Sequence, residues 1–169
     1  HNLHSIFHIF GTEALPYKDL ELEKYGAHYI VPEVNQGVPL PDGRCLLAYP
    51  DVDKTVENFS QFSKNDGKAF KDLGRFTDPM FAYHYSPPMP EEEWKDMFQK
   101  KWGDVGSEFF DVVRMSPSDI SEGIFEDPVL QASLQFSTGV IRVKNTVQGM
   151  GFGTLRMLTR FGRWSMSRG

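Results

Sequence analysis

The stretch Gly37-Val38-Pro39-Leu40-Pro41-Asp42-Gly43-Arg44-Cys45-Leu46-Leu47-Ala48-Tyr49, followed at once by Asp51-Val52-Asp53-Lys54-Thr55-Val56-Glu57-Asn58-Phe59, decides the fold class. Pro41-Asp42-Gly43 has turn chemistry, with Gly43 free to take a positive φ, so the first part predicts a β-hairpin. Asp51 predicts the cap of a helix whose apolar face is Val52, Val56 and Phe59, then Phe62, spaced three and four apart. Upstream, Tyr29-Ile30-Val31 begins a strand that Pro32 interrupts, and Pro16 breaks the polar stretch 11–23. Downstream, Ser63 with Asp66 resembles a capping box opening a second helix, with the stripe Ala69, Phe70, Leu73 and Phe76.

Prolines 79, 87, 88 and 90 bracket Phe81-Ala82-Tyr83-His84-Tyr85, which reads as an aromatic linker. Pro90 suits the first turn of a third helix, with Glu91, Glu92 and Glu93 at its positive end and Trp94, Phe98 and Trp102 on one face. Gly103 and Gly106 loosen the end of that helix. Ser116-Pro117-Ser118-Asp119 and Asp127-Pro128 are two further helix starts, the second presenting Val129, Leu130 and Leu134 to a core. Val140 to Val143 alternates weakly like a strand, and the glycines 149, 151 and 153 break the chain, as a hinge, before a helix from Thr154 to Phe161. Strands first and helices after them predict an α+β fold: a small antiparallel or mixed sheet with a cap of several helices, residues 1–169 forming one domain.

Composition agrees with that class. A chain of 169 residues with 40% hydrophobic side chains buries about 70% of its unfolded surface on folding, so it needs no staples. A single cysteine, Cys45, excludes an internal disulfide framework and fits a reducing compartment as a packed thiol. No run approaches the ~20 apolar residues of a membrane span, and no export signal is seen. The chain opens at His1 without an initiator methionine, enters at once on Leu3, Ile6, Phe7, Ile9 and Phe10, and stops at Gly169; a slice of a longer protein is expected. The expected location is the cytoplasm or an organelle matrix, peripheral to a membrane if the basic end meets lipid.

Charge is placed unevenly. Residues 1–137 carry 12 Lys and Arg against 23 Asp and Glu, whereas residues 138–169 carry six basic side chains and no acid. Those six, Arg142, Lys144, Arg156, Arg160, Arg163 and Arg168, are interleaved with Phe152, Phe161 and Trp164, a pattern that suits phosphates or lipid headgroups, or equally a helix face docked on the acidic remainder. A nucleic-acid partner is not expected, because no recognition module accompanies the charge.

Motifs for chemistry are sparse. His1, His4 and His8 would share one helix face, as metal ligands must, but only Glu13 stands near to support them, and no metal site is expected. Gly149-x-Gly151-x-x-Thr154 lacks the third glycine of a dinucleotide fingerprint. No P-loop, nucleophile elbow, HExxH or CxxC occurs. Aromatic residues are abundant, with 14 Phe, six Tyr and three Trp, enough to wall an apolar ligand pocket as well as to fill a core. Phe81, Tyr83, His84, Tyr85 and Trp102 are the candidate substrate-binding residues.

The ordered set Asp19-Leu20-Glu21-Leu22-Glu23-Lys24-Tyr25-Gly26, then Val38-Pro39-Leu40-Pro41-Asp42-Gly43-Arg44, then Asp51 to Glu57 and Phe62-Ser63-Lys64-Asn65-Asp66 resembles the phytoene desaturase-like FAD-dependent oxidoreductases of the amine oxidase and carotenoid desaturase superfamily. Residues Ser116 to Phe136 look like that family's later helices. The resemblance implies the middle, substrate-binding domain of a flavoenzyme, with FAD held mainly by segments outside this chain and the FAD-binding domain of the same protein as a partner. A hydrophobic small molecule would lie under the cap and give hydride to the flavin, the redox chemistry being the cofactor's. His1, Asn2 and Arg168 would then lie near the flavin, and His4 near the reacting centre. The alternative is a non-catalytic module that holds an apolar ligand or docks on a membrane surface.

Overall fold

The computed structural model describes residues 15–139 and 144–159 and the backbone of strand Met166–Ser167. The predicted α+β class is borne out: helices dominate, and the strands form two separate two-stranded antiparallel sheets. Cα packing divides the chain into two compact units, residues 1–58 with 160–169 and residues 59–159.

The first unit holds α1 (Leu15–Asp19), a 3₁₀ turn (Leu22–Tyr25), β1 (Tyr29–Ile30), β2 (Gln36–Pro39), β3 (Cys45–Ala48) and most of α2 (Val52–Phe59). The hairpin forms where the Pro-Asp-Gly turn places it. Gln36 pairs with Ala48 and Pro39 with Cys45, Gly43 has φ +85°, and the Asp42 carboxylate accepts the Arg44 backbone N–H at 3.0 Å. Asp51 Oδ1 caps α2 by accepting the N–H of Asp53 and Lys54. Asn58 then serves the open edge of β3: its Oδ1 accepts the Leu47 N–H at 2.8 Å and its Nδ2 donates to the Cys45 carbonyl at 3.2 Å. One amide side chain thus supplies the bonds a neighbouring strand would make. The strand begun at Tyr29 pairs with β4 (Met166–Ser167), a partner more than 130 residues away that no local sequence signal indicates.

The second unit is helical: α3 (Lys64–Asp72), a 3₁₀ turn (Leu73–Phe76), α4 (Thr77–Tyr85), α5 (Glu91–Trp102), α6 (Asp104–Arg114), α7 (Pro117–Ile124), α8 (Pro128–Gly139) and α9 (Gly151–Thr159). Four expectations are corrected here. Phe81 to Tyr85 is not a linker but the body of α4, because Pro79 sits in the first turn, where its missing N–H is not needed. Gly103 and Gly106 do not loosen a helix end. Gly103, at φ +57°, turns the chain in one residue, and Gly106 lies buried inside α6 against α5. The glycines 149–153 are no hinge, since α9 already begins at Gly151 and that glycine is buried.

The fourth correction concerns Asp66. Ser63 Oγ accepts the Asp66 N–H as expected, but the Asp66 carboxylate reaches across the unit to the N–H groups of Glu126 and Asp127, at 2.8 and 2.9 Å. The other caps stand. Ser116 and Asp119 form a complete capping box on α7, and Asp127 Oδ1 accepts the Val129 N–H at 2.8 Å at the start of α8. Residues Val140 to Val143, expected as a strand, and His1, His4 and His8 lie outside the described residues.

Close backbone approach organises this unit. A Cβ built on Gly106 would stand 2.3 Å from the Phe98 carbonyl oxygen of α5, and one built on Gly151 only 1.7 Å from the Val112 carbonyl oxygen of α6. Each glycine lets two helix backbones touch. Gly106→Ala and Gly151→Ala are therefore each expected to destabilise the chain by about 1–3 kcal/mol in urea denaturation. Gly123→Ala, in the open in α7, is expected to gain up to about 1 kcal/mol; losses of equal size at all three positions would contradict the close-approach argument.

Candidate functional site

The second unit contains a cleft of about 380 Å³, at the small end of ligand-pocket sizes. It is built from helix ends. The last turn of α4 supplies Tyr83, and Ser86 follows at its C-cap in an extended conformation. Three of the next four residues are prolines, which cannot continue the helix, so the chain runs extended and presents Pro88 and Met89. The first turns of α5 add Glu91 and Trp94, and the last turn of α6 adds Phe110, Val113 and Arg114.

Tyr83 is the centre of the packing beside the cleft. Its ring lies 5.0 Å from Trp94, 5.2 Å from Phe152, 5.6 Å from Phe109, 6.0 Å from Phe110 and 6.4 Å from Phe98, centroid to centroid. Edge-to-face and tilted pairs of this kind each add about 0.5–1.5 kcal/mol beyond burial. Phe98 and Phe109, packed behind Tyr83, are wholly buried.

The rim is charged. Because α5 and α6 run antiparallel through a one-residue turn, the start of one meets the end of the other. Glu91 pairs there with Arg114, and with Lys95 at 2.9 Å. Glu91 sits at the positive end of α5 and Arg114 at the negative end of α6, as both helix dipoles favour. Hydrogen bonds from Lys95 and Arg114 hold the Glu91 carboxyl below its ordinary value. The pair is solvent-exposed and modest in strength.

The structure separates the residues that the sequence nominates. Tyr83 alone of the five lines the cleft. Phe81 and Tyr85, one turn apart, stack on each other at 5.9 Å, and His84 sits edge-on to Tyr85 at 4.6 Å and parallel to Phe152 at 5.9 Å. Burial first, and then the nearby Arg156 charge, lower the His84 pKa and so favour the neutral imidazole. Trp102 lies two turns along α5 from Trp94, about 12 Å away by helical rise, packed on Phe98 at 4.7 Å with the Lys101 ammonium over its ring. His1, Asn2, His4 and Arg168 lie outside the described residues.

Trp94 and Phe110, two of the principal walls, carry no sequence signal beyond that of core residues. What could have singled them out is the crowding of α5 and α6 against the proline-rich turn, which exposes one edge of residues whose other edge is buried. Of the basic, aromatic C-terminal set, Phe152 and Arg156 belong to α9 and pack in the helical unit, Arg156 half-buried, while Lys144 is exposed.

Of the two glycines that come nearest to a dinucleotide fingerprint, Gly151 is committed to packing against the α6 backbone, while Gly149 stands in open space at a positive φ. Among the described residues no cluster of His, Cys, Asp and Glu is disposed to hold a metal ion. No described helix is long and apolar enough to cross a membrane.

Comparison with known proteins finds a distant similarity to a dehydrogenase. The chain is 27% identical, over 141 residues, to a subunit of the limonene dehydrogenase of Castellaniella defragrans, a match covering 80% of this chain and 25% of that protein. The chain therefore spans about a quarter of the length of the curated relative it matches. No protein-family profile and no solved structure matches it.

The rim pair makes a testable statement about pH. A carboxyl whose folded pKa lies below its ordinary 4.5 stabilises the fold above that value and loses the contribution as pH falls through the lowered one. Wild type is thus expected to be more stable than Glu91→Gln at neutral pH, with the difference shrinking as the pH falls below 4.5 and vanishing below the lowered value. A gap that stays constant across that range would show that the carboxylate charge contributes nothing.

Proposed function

We propose that the chain is the substrate-binding portion of an FAD-dependent oxidoreductase acting on a small hydrophobic molecule. The observation that carries the reading is the similarity to a dehydrogenase subunit along 80% of this chain. The aromatic cleft and the ordered motifs resembling the phytoene desaturase-like enzymes support it. Roughly three quarters of the relative lies outside the match, which leaves room for cofactor-binding segments. In this reading FAD is bound mainly outside these residues, with His1, Asn2, His4 and Arg168 on the side toward it. Both compact units belong to the one substrate-binding portion.

The work of the described residues is then to bind, orient and exclude water. Phe110, Val113 and Met89 offer apolar contact, and the Tyr83 cluster fixes the wall against which a substrate is held. The partners are the hydrophobic substrate and the FAD-binding part of the same protein, in the cytoplasm or an organelle matrix. Peripheral contact with a membrane through the basic C-terminal residues fits the supply of a lipophilic substrate, and it would weaken with salt.

The visible spectrum of the natural full-length protein, purified without added cofactor, tests the proposal. The expected outcome is an oxidised-flavin spectrum in the long form, bleached anaerobically by an apolar substrate, and no flavin band in residues 1–169 alone. A colourless full-length protein that also fails to take up added FAD would falsify the flavoenzyme reading.

A further inference from the structure

Three residues lining the cleft carry a polar group without a hydrogen-bond partner among the described residues. Among the described residues the Tyr83 hydroxyl, the Ser86 hydroxyl and the Trp94 indole N–H make no hydrogen bond, and none of the three is among the fully sealed polar atoms. Their positions are nonetheless fixed. The Tyr83 ring is gripped by five aromatic neighbours, Trp94 is 6% exposed, and the Ser86 N–H is bonded to Ala82 at 3.1 Å.

A few placed polar groups among apolar and aromatic side chains are the means by which small-molecule sites fix orientation. We propose that this cleft binds a compact, uncharged, mostly apolar molecule bearing one acceptor oxygen, an alcohol or a carbonyl, with Tyr83 as the specificity-determining donor. The inference rests on the reading of the cleft as the substrate's, and adds the substrate's polarity to it. The indole N–H can only donate and the two hydroxyls can donate as well as accept, so a ligand atom that meets the indole must accept. The ligand is uncharged because the one cation lining the cleft among the described residues, Arg114, is already paired with Glu91. An anion would have to break that pair.

The test needs no flavin, so its outcome is independent of the spectrum of the full-length protein. Cyclohexylmethanol, cyclohexanecarbaldehyde, methylcyclohexane and cyclohexanecarboxylate are titrated into the 169-residue chain. Binding is followed by the indole N–H resonance of Trp94, assigned through Trp94→Phe. The alcohol and the aldehyde are expected to shift that resonance and to bind roughly 3- to 10-fold tighter than the hydrocarbon, the margin of one neutral hydrogen bond. Tyr83→Phe keeps the ring and its packing, confirmed by an unchanged unfolding midpoint, and is expected to remove the preference while leaving the hydrocarbon affinity alone. Ser86→Ala, which touches no aromatic contact, reads the second hydroxyl in the same way. Equal binding of alcohol and hydrocarbon to wild type would overturn the proposal, as would a preference surviving in Tyr83→Phe. Tightest binding of the carboxylate would assign the cleft to anions at Arg114, and an unmoved Trp94 resonance with every probe would mean the cleft is no site for this class.

Discussion

The helical unit depends on two places where one helix backbone rests directly on another, Gly106 of α6 on Phe98 of α5 and Gly151 of α9 on Val112 of α6. Contact at that range is possible only where no Cβ intervenes. It brings α9 close enough for Phe152 to reach Tyr83 and for Leu155 and Leu158 to be wholly or almost wholly buried. With the helices at that separation, the aromatic rings of α4, α5 and α6 fill the space between them with few gaps, as interiors require. The cleft is the place where this packing stops, at the ends of three helices and beside a connection too rich in proline to fold over it.

Polar groups have a different part, which is to fix where the helices start. Asp51, Ser63, Ser116 with Asp119, and Asp127 each accept backbone N–H groups at a helix N-terminus. Asp66 does so at a distance: it is almost fully buried, and its two oxygens take the N–H groups that lead into α8 from the far side of the unit. Hydrogen bonds from Ser63 and Asn65 to Glu126 lie over the same junction and lower the Glu126 pKa.

Much of the fold is legible because short-range chemistry settles it. The Pro-Asp-Gly turn, the Asp51 cap, the serine and aspartate starts with proline behind them, and the Trp94–Phe98–Trp102 stripe all act within one turn or two, and all appear where residue type places them. The failures share a cause. Gly103, Gly106, Gly149 and Gly151 signal local freedom, whereas two of the four are there because another helix needs the space, a fact held by residues distant in sequence. Pro79 signals a helix break unless its position in a first turn is known. The cleft is half legible: Tyr83 stands among the aromatic candidates, but Phe81, His84 and Tyr85 leave it by the geometry of α4, since neighbours on a helix point 100° apart, and Trp102 leaves it by two turns of rise. Arg114 and Glu91 meet only because α5 and α6 are antiparallel.

The Asp66 bridge also bears on the order in which the chain assembles. Its partners lie 60 and 61 residues on, and closing a loop of that length carries an entropic cost that the α5–α6 hairpin, turned by a single glycine, does not bear. Contacts between sequence neighbours form sooner than such distant ones. The hairpin bearing Trp94, Phe98, Phe109 and Phe110 thus closes at a lower entropic cost than the Asp66 bridge, whose carboxylate is a latch between residues far apart in the chain.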